Sequence, residues 1–275
     1  MKLTLLGTGC PSVDHKRFGP SNLISTKKTK LLVDCGSGIT QRLHELKISL
    51  VDIDALLFTH LHSDHAVDLY QLIISSWHSY RIKPWKIYGP KGTKKFVKKI
   101  MDAWADERKS RILYEARASA KAFDIEIIEF KSIGNLKIKD IKIKYFEVDH
   151  KPVKFAYGFC FNNKSKKLTI SGDTRPCENL MKYAQKSDVL LHEVFIEGEI
   201  LEINKMRTKK TLHNVKSYHT TSSQVGKVAF IVRAKKLVLT HFVPTRFNKN
   251  NLKKVIKKDF GKDPIVGEDL MTIKI

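Results

Sequence analysis

The segment Ala55–Leu56–Leu57–Phe58 is short, apolar and bounded by polar residues, so it reads as a buried strand. It runs straight into THLHSDH, residues 59–65, which places three histidines and an aspartate where that strand must end. Beyond it, apolar positions 66, 69, 72, 73 and 77 recur at helical spacing, which predicts a helix beginning near His65. A chain with this strand, bend and helix is committed to a sheet with helices packed on it. The pattern also repeats. His150 ends KYFEVDH, Asp173 ends KKLTISGD, Glu193 follows DVLLH, and His241 ends KKLVLT. Loops at strand ends, held by a rigid sheet, are where sites are commonly built. If these strands are neighbours, their terminal side chains converge.

The residue types define the chemistry. Imidazoles with carboxylates suit zinc best, with manganese or iron as alternatives. The four cysteines, Cys10, Cys35, Cys160 and Cys177, form no CxxC pair, so no thiolate knuckle competes. His60 and His62 are two apart and point to one side of an extended segment. Asp64 and His65 lie past the bend and can serve a second metal. Two divalent ions ~3.5–4 Å apart share a bridging carboxylate and a bridging hydroxide, and lowering the pKa of bound water from ~15.7 toward ~7 makes a nucleophile at neutral pH. Isolated histidines, His15, His44 and His78, are expected to be ordinary polar residues, and His192 to pack beside Glu193. His219, ahead of the Thr-Thr-Ser-Ser cluster, suits either a helix-start polar residue or a catalytic one.

The remaining segments define the architecture. Lys2 to Leu6 predicts a strand, Ser21–Ser25 and Lys30–Asp34 a hairpin, and SGITQRLHELKI a helix. WKIYGP, FDIEIIEF, FAYGFCFN, KKLTISGD, SDVLLHEV and KKLVLTHF are strand-like, while GTKKFVKKIMDAW and TSSQVGKVAFIVRA are helical. In LKIKDIKIKYFEVDH, isoleucine and leucine alternate with lysine on both sides of Asp140. That predicts two strands, or one with a bulge, with a solvated lysine face. Hairpins first and alternating strands and helices later suit an α/β layered sandwich with mixed sheets. No repeat or linker divides the chain, so residues 1–275 are expected to form one domain. Trp77, Tyr80 and Trp85 are expected in the core.

Charge narrows the partners. Lys plus Arg number 51 against 28 Asp plus Glu, a net charge of +23. Such a field concentrates polyanions, although a lysine-rich solvated surface accounts for it equally well. No secretion signal or membrane-length apolar run is seen, so a cytoplasmic, reduced protein is expected.

These motifs resemble the metallo-β-lactamase superfamily. THLHSDH is similar to its HxHxDH signature, and LLGTG and LLVDCGSG to its first strands. ISGDT, LLHEV, YHTTSSQVGKVA and LVLTHF resemble its ribonuclease Z / arylsulfatase-like branch. The resemblance spans nearly the whole chain and implies an αββα sandwich. It implies one metal on His60, His62 and His150, another on Asp64, His65 and His241, and Asp173 bridging them. Asp64 would also act as general base, and His219, oriented by Glu193, as general acid. It implies an RNA phosphodiesterase, most naturally one processing tRNA 3′ ends, and commonly a homodimer. Ribonuclease Z enzymes carry a tRNA-gripping arm between the motifs of His150 and Asp173. Here that interval is 173 − 150 = 23 positions of strand-like sequence. RFGPSNLI, VDHKPVKFAYGF and VGEDLM are closer to arylsulfatase-type members, so a hydrolase of small aryl sulfates or phosphodiesters is the alternative. Lysines at 91–99, 205–216 and 249–262 are candidates to hold a polyanion without an arm.

Overall fold

A computed structural model describes residues 1–199 and 208–275. The first sheet begins with β1 (Lys2–Gly7), β2 (Ser21–Ser25), β3 (Lys30–Val33), β4 (Ala55–Leu57), β5 (Trp85–Gly89) and β6 (Ile125–Glu129). The second holds β7 (Ile133–Ile138), β8 (Ile141–Glu147), β9 (Tyr157–Asn163), β10 (Lys166–Ile170), β11 (Val189–Phe195), β12 (Lys236–Val243) and β13 (Ile265–Val266). β14 (Thr272–Lys274) returns to pair with β1, so the strand orders are β14-β1-β2-β3-β4-β5-β6 and β13-β12-β11-β10-β9-β8-β7. Each sheet is antiparallel through its first three pairings and parallel through the last three, counted from β14 and from β7.

Strand periodicity assigns the layers. In β3, Leu31 and Val33 face the second sheet, while Leu32 faces outward; β11 alternates likewise at Val189, Leu190 and Leu191. The inward residues of both sheets form one core, with Leu3, Leu5, Leu57, Ile143, Phe159, Ile170 and Val238. On the first sheet's outer face pack α1 (Ile39–Glu45), α3 (Leu69–His78) and α4 (Thr93–Ala103). On the second sheet's outer face pack α6 (Glu178–Tyr183), α8 (Ser222–Ile231) and α9 (Lys249–Phe260). The result is four layers, αββα, with two mixed sheets. The expected hairpin around Asp140 is β7–β8, turning at Lys139 in the left-handed region (φ 50°).

Three expectations change. The helix near His65 is two helices, α2 (Ser63–Ala66) and α3. The break falls before α3 because Asp68 is used elsewhere. Its carboxylate accepts from the backbone N–H of Gly38 (2.8 Å) and Ile39 (3.1 Å), satisfying the open start of α1. Tyr80 is 79% exposed, with a left-handed backbone just past the end of α3, whereas Trp77 and Trp85 are buried. Four helices have no counterpart among the expected elements: α5 (Ala105–Glu115), α6, α7 (Lys209–Ser217) and α9. Among the described residues no helix is long and apolar enough to cross a membrane.

Candidate metal centre

The side chains singled out in the sequence meet where strand ends of both sheets come together. From the first sheet, β4 delivers an extended stretch carrying His60 and His62. His62 then occupies the N-cap position of α2, whose first turn carries Asp64 and His65. From the second sheet come His150 after β8, Asp173 after β10, Glu193 within β11 and His241 within β12. The last two are not strand-end residues, as the sequence pattern suggests. β12 has a bulge against β11: Glu193 pairs with Thr240 and Val194 with Phe242, leaving His241 between them with φ 47°. A bulge with left-handed backbone turns a side chain out of the ladder, and here it turns His241 to the site.

His60, His62 and His150 offer ring nitrogens within 4.8 Å of one another; so do the donor atoms of Asp64, His65 and His241. Between these groups lies one carboxylate oxygen. Oδ2 of Asp173 is 3.9 Å from Nε2 of His60, 3.4 Å from that of His65, 3.9 Å from that of His150 and 3.2 Å from that of His241. Asp64 Oδ2 lies 3.3 Å from His241 Nε2 and 3.6 Å from His65 Nε2.

Several rings are locked from behind. Nδ1 of His65 donates to Asp34 Oδ2 (2.9 Å), Nδ1 of His60 to Thr59 Oγ1 (3.0 Å), and Nδ1 of His150 to the Tyr218 carbonyl (2.9 Å). That orients the rings and turns each Nε2 toward Asp173. Nε2 of His60 and of His65 is buried without a hydrogen-bond partner. Buried nitrogens of this kind need a partner, and converging bare imidazoles around a carboxylate are what a cation supplies it to. The donor set therefore fits divalent metal.

The electrostatics divide the imidazoles. Burial, reinforced by the neighbouring histidines, holds His60 well below the usual imidazole range and lowers His62 and His150 too, keeping them neutral. Burial pushes His65 down as well, but Asp173 and Asp34 outweigh it and raise it well above. Burial acts to raise Asp173, yet His241, His65 and His60 hold it well below the usual carboxylate range.

Beside this cluster sits a carboxylate–imidazole pair. His219 Nδ1 donates to Glu193 Oε1 (3.0 Å), which also accepts from the backbone N–H of Thr174 (3.0 Å) and Thr220 (3.1 Å). Burial lowers His219, but Glu193 and Asp173 more than offset it and bring it to about 8. The N-cap of α8 is Thr221, not His219. His192 bonds the Glu193 carbonyl and stays outside the cluster, and His15, His44 and His78 are elsewhere.

The sequence places Asp34 at the end of a strand but does not show what it binds. It follows β3 with φ 64°, is buried, and accepts from Thr59 N (2.7 Å), Thr59 Oγ1 (2.8 Å) and His65 Nδ1. The signal was present, since Asp34 ends an apolar strand just as the other site acids do. Gly36 matters for the same junction: a Cβ there would lie 2.5 Å from the Asp64 carbonyl oxygen.

The family model described as anti-Pycsar protein Apyc1 matches residues 1–204. Ribonuclease Z of Mycobacterium bovis (strain BCG / Pasteur 1173P2) is 32% identical over 247 residues, 89% of this chain and 86% of its own. The chain belongs to the metallo-β-lactamase-fold family of ribonuclease Z and Apyc1. Solved structures carry the same metallo-β-lactamase fold. YhfI from Bacillus subtilis superposes with a TM-score of 0.77 at 19% identity, covering 99% of this chain and 98% of that one. The short form of human tRNase Z superposes with 0.74 at 22%, covering 100% and 99%.

Proposed function

We propose that this ribonuclease Z-family protein is a dinuclear metal-dependent phosphodiesterase that cleaves RNA, with precursor tRNA 3′ ends as the natural substrate. The observation that carries this is the bare Nε2 atoms converging on Asp173, with the Glu193–His219 pair alongside. His60, His62 and His150 would hold one ion, and Asp64, His65 and His241 the other, with Asp173 between them. Zinc matches the donors best. When bound, the ions supply an activated water and neutralise charge on the phosphoryl oxygens. The protein's own groups do the rest. Asp64 would also accept a proton as general base. Glu193 fixes the proton on Nδ1 of His219 and favours the imidazolium, so its Nε2 can protonate the departing oxygen. The reading places the protein in the cytoplasm, as one domain over residues 1–275 and as a homodimer.

A second reading, a hydrolase of small anionic esters, has one structural observation behind it. The interval from His150 to Asp173 is filled by β9 and β10 of the second sheet, leaving no arm there. Elemental analysis coupled to one assay separates the readings. Precursor tRNA, an aryl phosphodiester and an aryl sulfate are compared with wild type and His62→Ala. Salt-sensitive tRNA cleavage lost in His62→Ala supports the RNA reading. Ester turnover without any tRNA cleavage sinks it.

A further inference from the structure

The second sheet is roofed only over part of its outer face. α6, α8 and α9 pack through Leu180, Val228 and Ile256, leaving the outward positions of β7 and of the start of β8 open. There the structure has a hollow of about 680 Å³, whose rim and floor carry Lys137, Lys142, Lys144, Lys167, Lys182 and Tyr183. We propose that this groove is a second, non-catalytic site that holds a single-stranded RNA backbone leading away from the metal centre; the inference rests on the RNA reading above.

Three observations separate it from an ordinary solvated lysine face. First, its lysines are not neutralised. Lys139, Lys166 and Lys235, nearby, pair with Asp54 or Asp188, whereas none of the five groove ammonium groups has a carboxylate within 4.0 Å among the described residues; that of Lys167 donates instead to the Gln185 carbonyl (2.8 Å). Second, Lys137 stands directly opposite Lys142 in the β7–β8 register. Like charges facing across a strand pair are destabilising, and a polyanion laid over them removes that cost. Third, the groove has features suited to bases as well as phosphates. The half-buried Tyr183 ring has the ammonium groups of Lys144 and Lys182 5.1 and 5.5 Å from its centroid, and the amides of Asn135 and Asn162 line the same hollow. Lysines tracking a backbone around an aromatic platform are the recurring means of holding single strands, and the combination favours RNA over an acidic protein surface.

The groove is also on the right strand. β8 carries Lys142 and Lys144 and continues to His150 at the metal centre. Eight residues at ~3.3 Å per residue span at most about 26 Å. At ~3.4 Å per phosphate, that is about eight stacked nucleotides. A tail of that length is therefore long enough to engage both sites.

The test is the triple variant Lys137→Glu/Lys142→Glu/Lys144→Glu, with Lys→Gln at the same positions in case charge reversal impairs folding. The control is Lys47→Glu/Lys109→Glu/Lys121→Glu, an equal change of net charge at exposed lysines outside the groove and outside the lysine runs named above. kcat/KM is followed against salt for an RNA with a long single-stranded tail, the same RNA with a tail of about four nucleotides, and an aryl phosphodiester. With about 0.7 per neutralised phosphate, the groove variant should flatten the log–log salt slope for the long-tailed RNA by about 2. It should also abolish the advantage of the long tail and leave the ester unchanged. An unaltered slope, or equal flattening by the control, overturns the groove while leaving the RNA reading intact. A wild-type protein that neither binds nor cleaves RNA overturns both.

Discussion

At the residue scale, the site depends as much on what holds the imidazoles as on the imidazoles. Asp34 illustrates this. Its two oxygens take two hydrogen bonds from Thr59 and one from His65. An asparagine there must turn an N–H toward either Thr59 N–H or His65 Nδ1. Facing His65, it would shift the ring proton onto Nε2, the nitrogen needed for a metal. We expect Asp34→Asn to weaken metal affinity about 10–100-fold, measured by competition with a chromogenic chelator; unchanged affinity would show that Asp34 only supports packing. The Glu193–His219 pair gives a second prediction. Burial opposes the His219 charge, and Glu193 is the main group that restores it to about 8. Removing that negative charge in Glu193→Gln must lower the His219 pKa. The basic limb of kcat/KM, read on a phosphodiester with an alkyl leaving group, should therefore move to lower pH. A limb that stays in place while the rate falls would leave Glu193 a structural role only. The positions of His60, His62, Asp64, His65, His150, Asp173, Glu193 and His241 were legible as polar residues ending or closing apolar runs. What Asp34 does was not, because its partners Thr59 and His65 lie 25 and 31 positions away and only the fold brings them together.

Among elements, legibility tracked the apolar stripe. β3, β4, β11 and β12 announce themselves because both faces are buried. α5 does not, since none of its residues is buried. β13 and β14 are two and three residues long and exist through pairing with β12 and β1. α9 has its stripe at Leu252, Ile256 and Phe260, under lysines that drew attention to charge instead. Lys205, in another of the lysine runs, lies outside the described residues. An element junction supplies the next prediction. Arg81, 1% exposed, donates to the carbonyls of Leu50 (3.2 Å), Ile53, Lys83 and Pro84 (3.0 Å each), and lies 4.0 Å over the Trp85 ring. It ties the approach to β4 to the approach to β5. Arg81→Met keeps the volume but strands these carbonyls, so a loss of about 3–5 kcal/mol is expected. Thermal denaturation should show a Tm lowered by roughly 6–20 °C. A shift below about 2 °C would mean water satisfies the carbonyls equally well.

For the whole molecule, the two sheets share one pairing pattern although the sequence shows no repeat. Both stack on a common core, and the candidate ligands divide between them: His60, His62, Asp64 and His65 follow the first sheet, and His150, Asp173 and His241 belong to the second. Metal held by this set would join the two halves at their edge, as the inward residues join them along their length. Two consequences should appear together on chelation. A ligand at 100 times its Kd stabilises by about 2.7 kcal/mol, so stripping it from a chain of this size should lower Tm by roughly 5–11 °C. The transition should also stay single, because Leu57 and Ile143 remain packed in one core without the ions. Differential scanning calorimetry with and without a chelator, on protein whose metal content has been measured, reads both. Splitting into two transitions would show that the ions, rather than the shared core, make the halves one folding unit. No change in Tm on protein shown to have lost its metal would mean that the unfolded chain binds the ions as tightly as the folded one, against a preorganised cluster around Asp173.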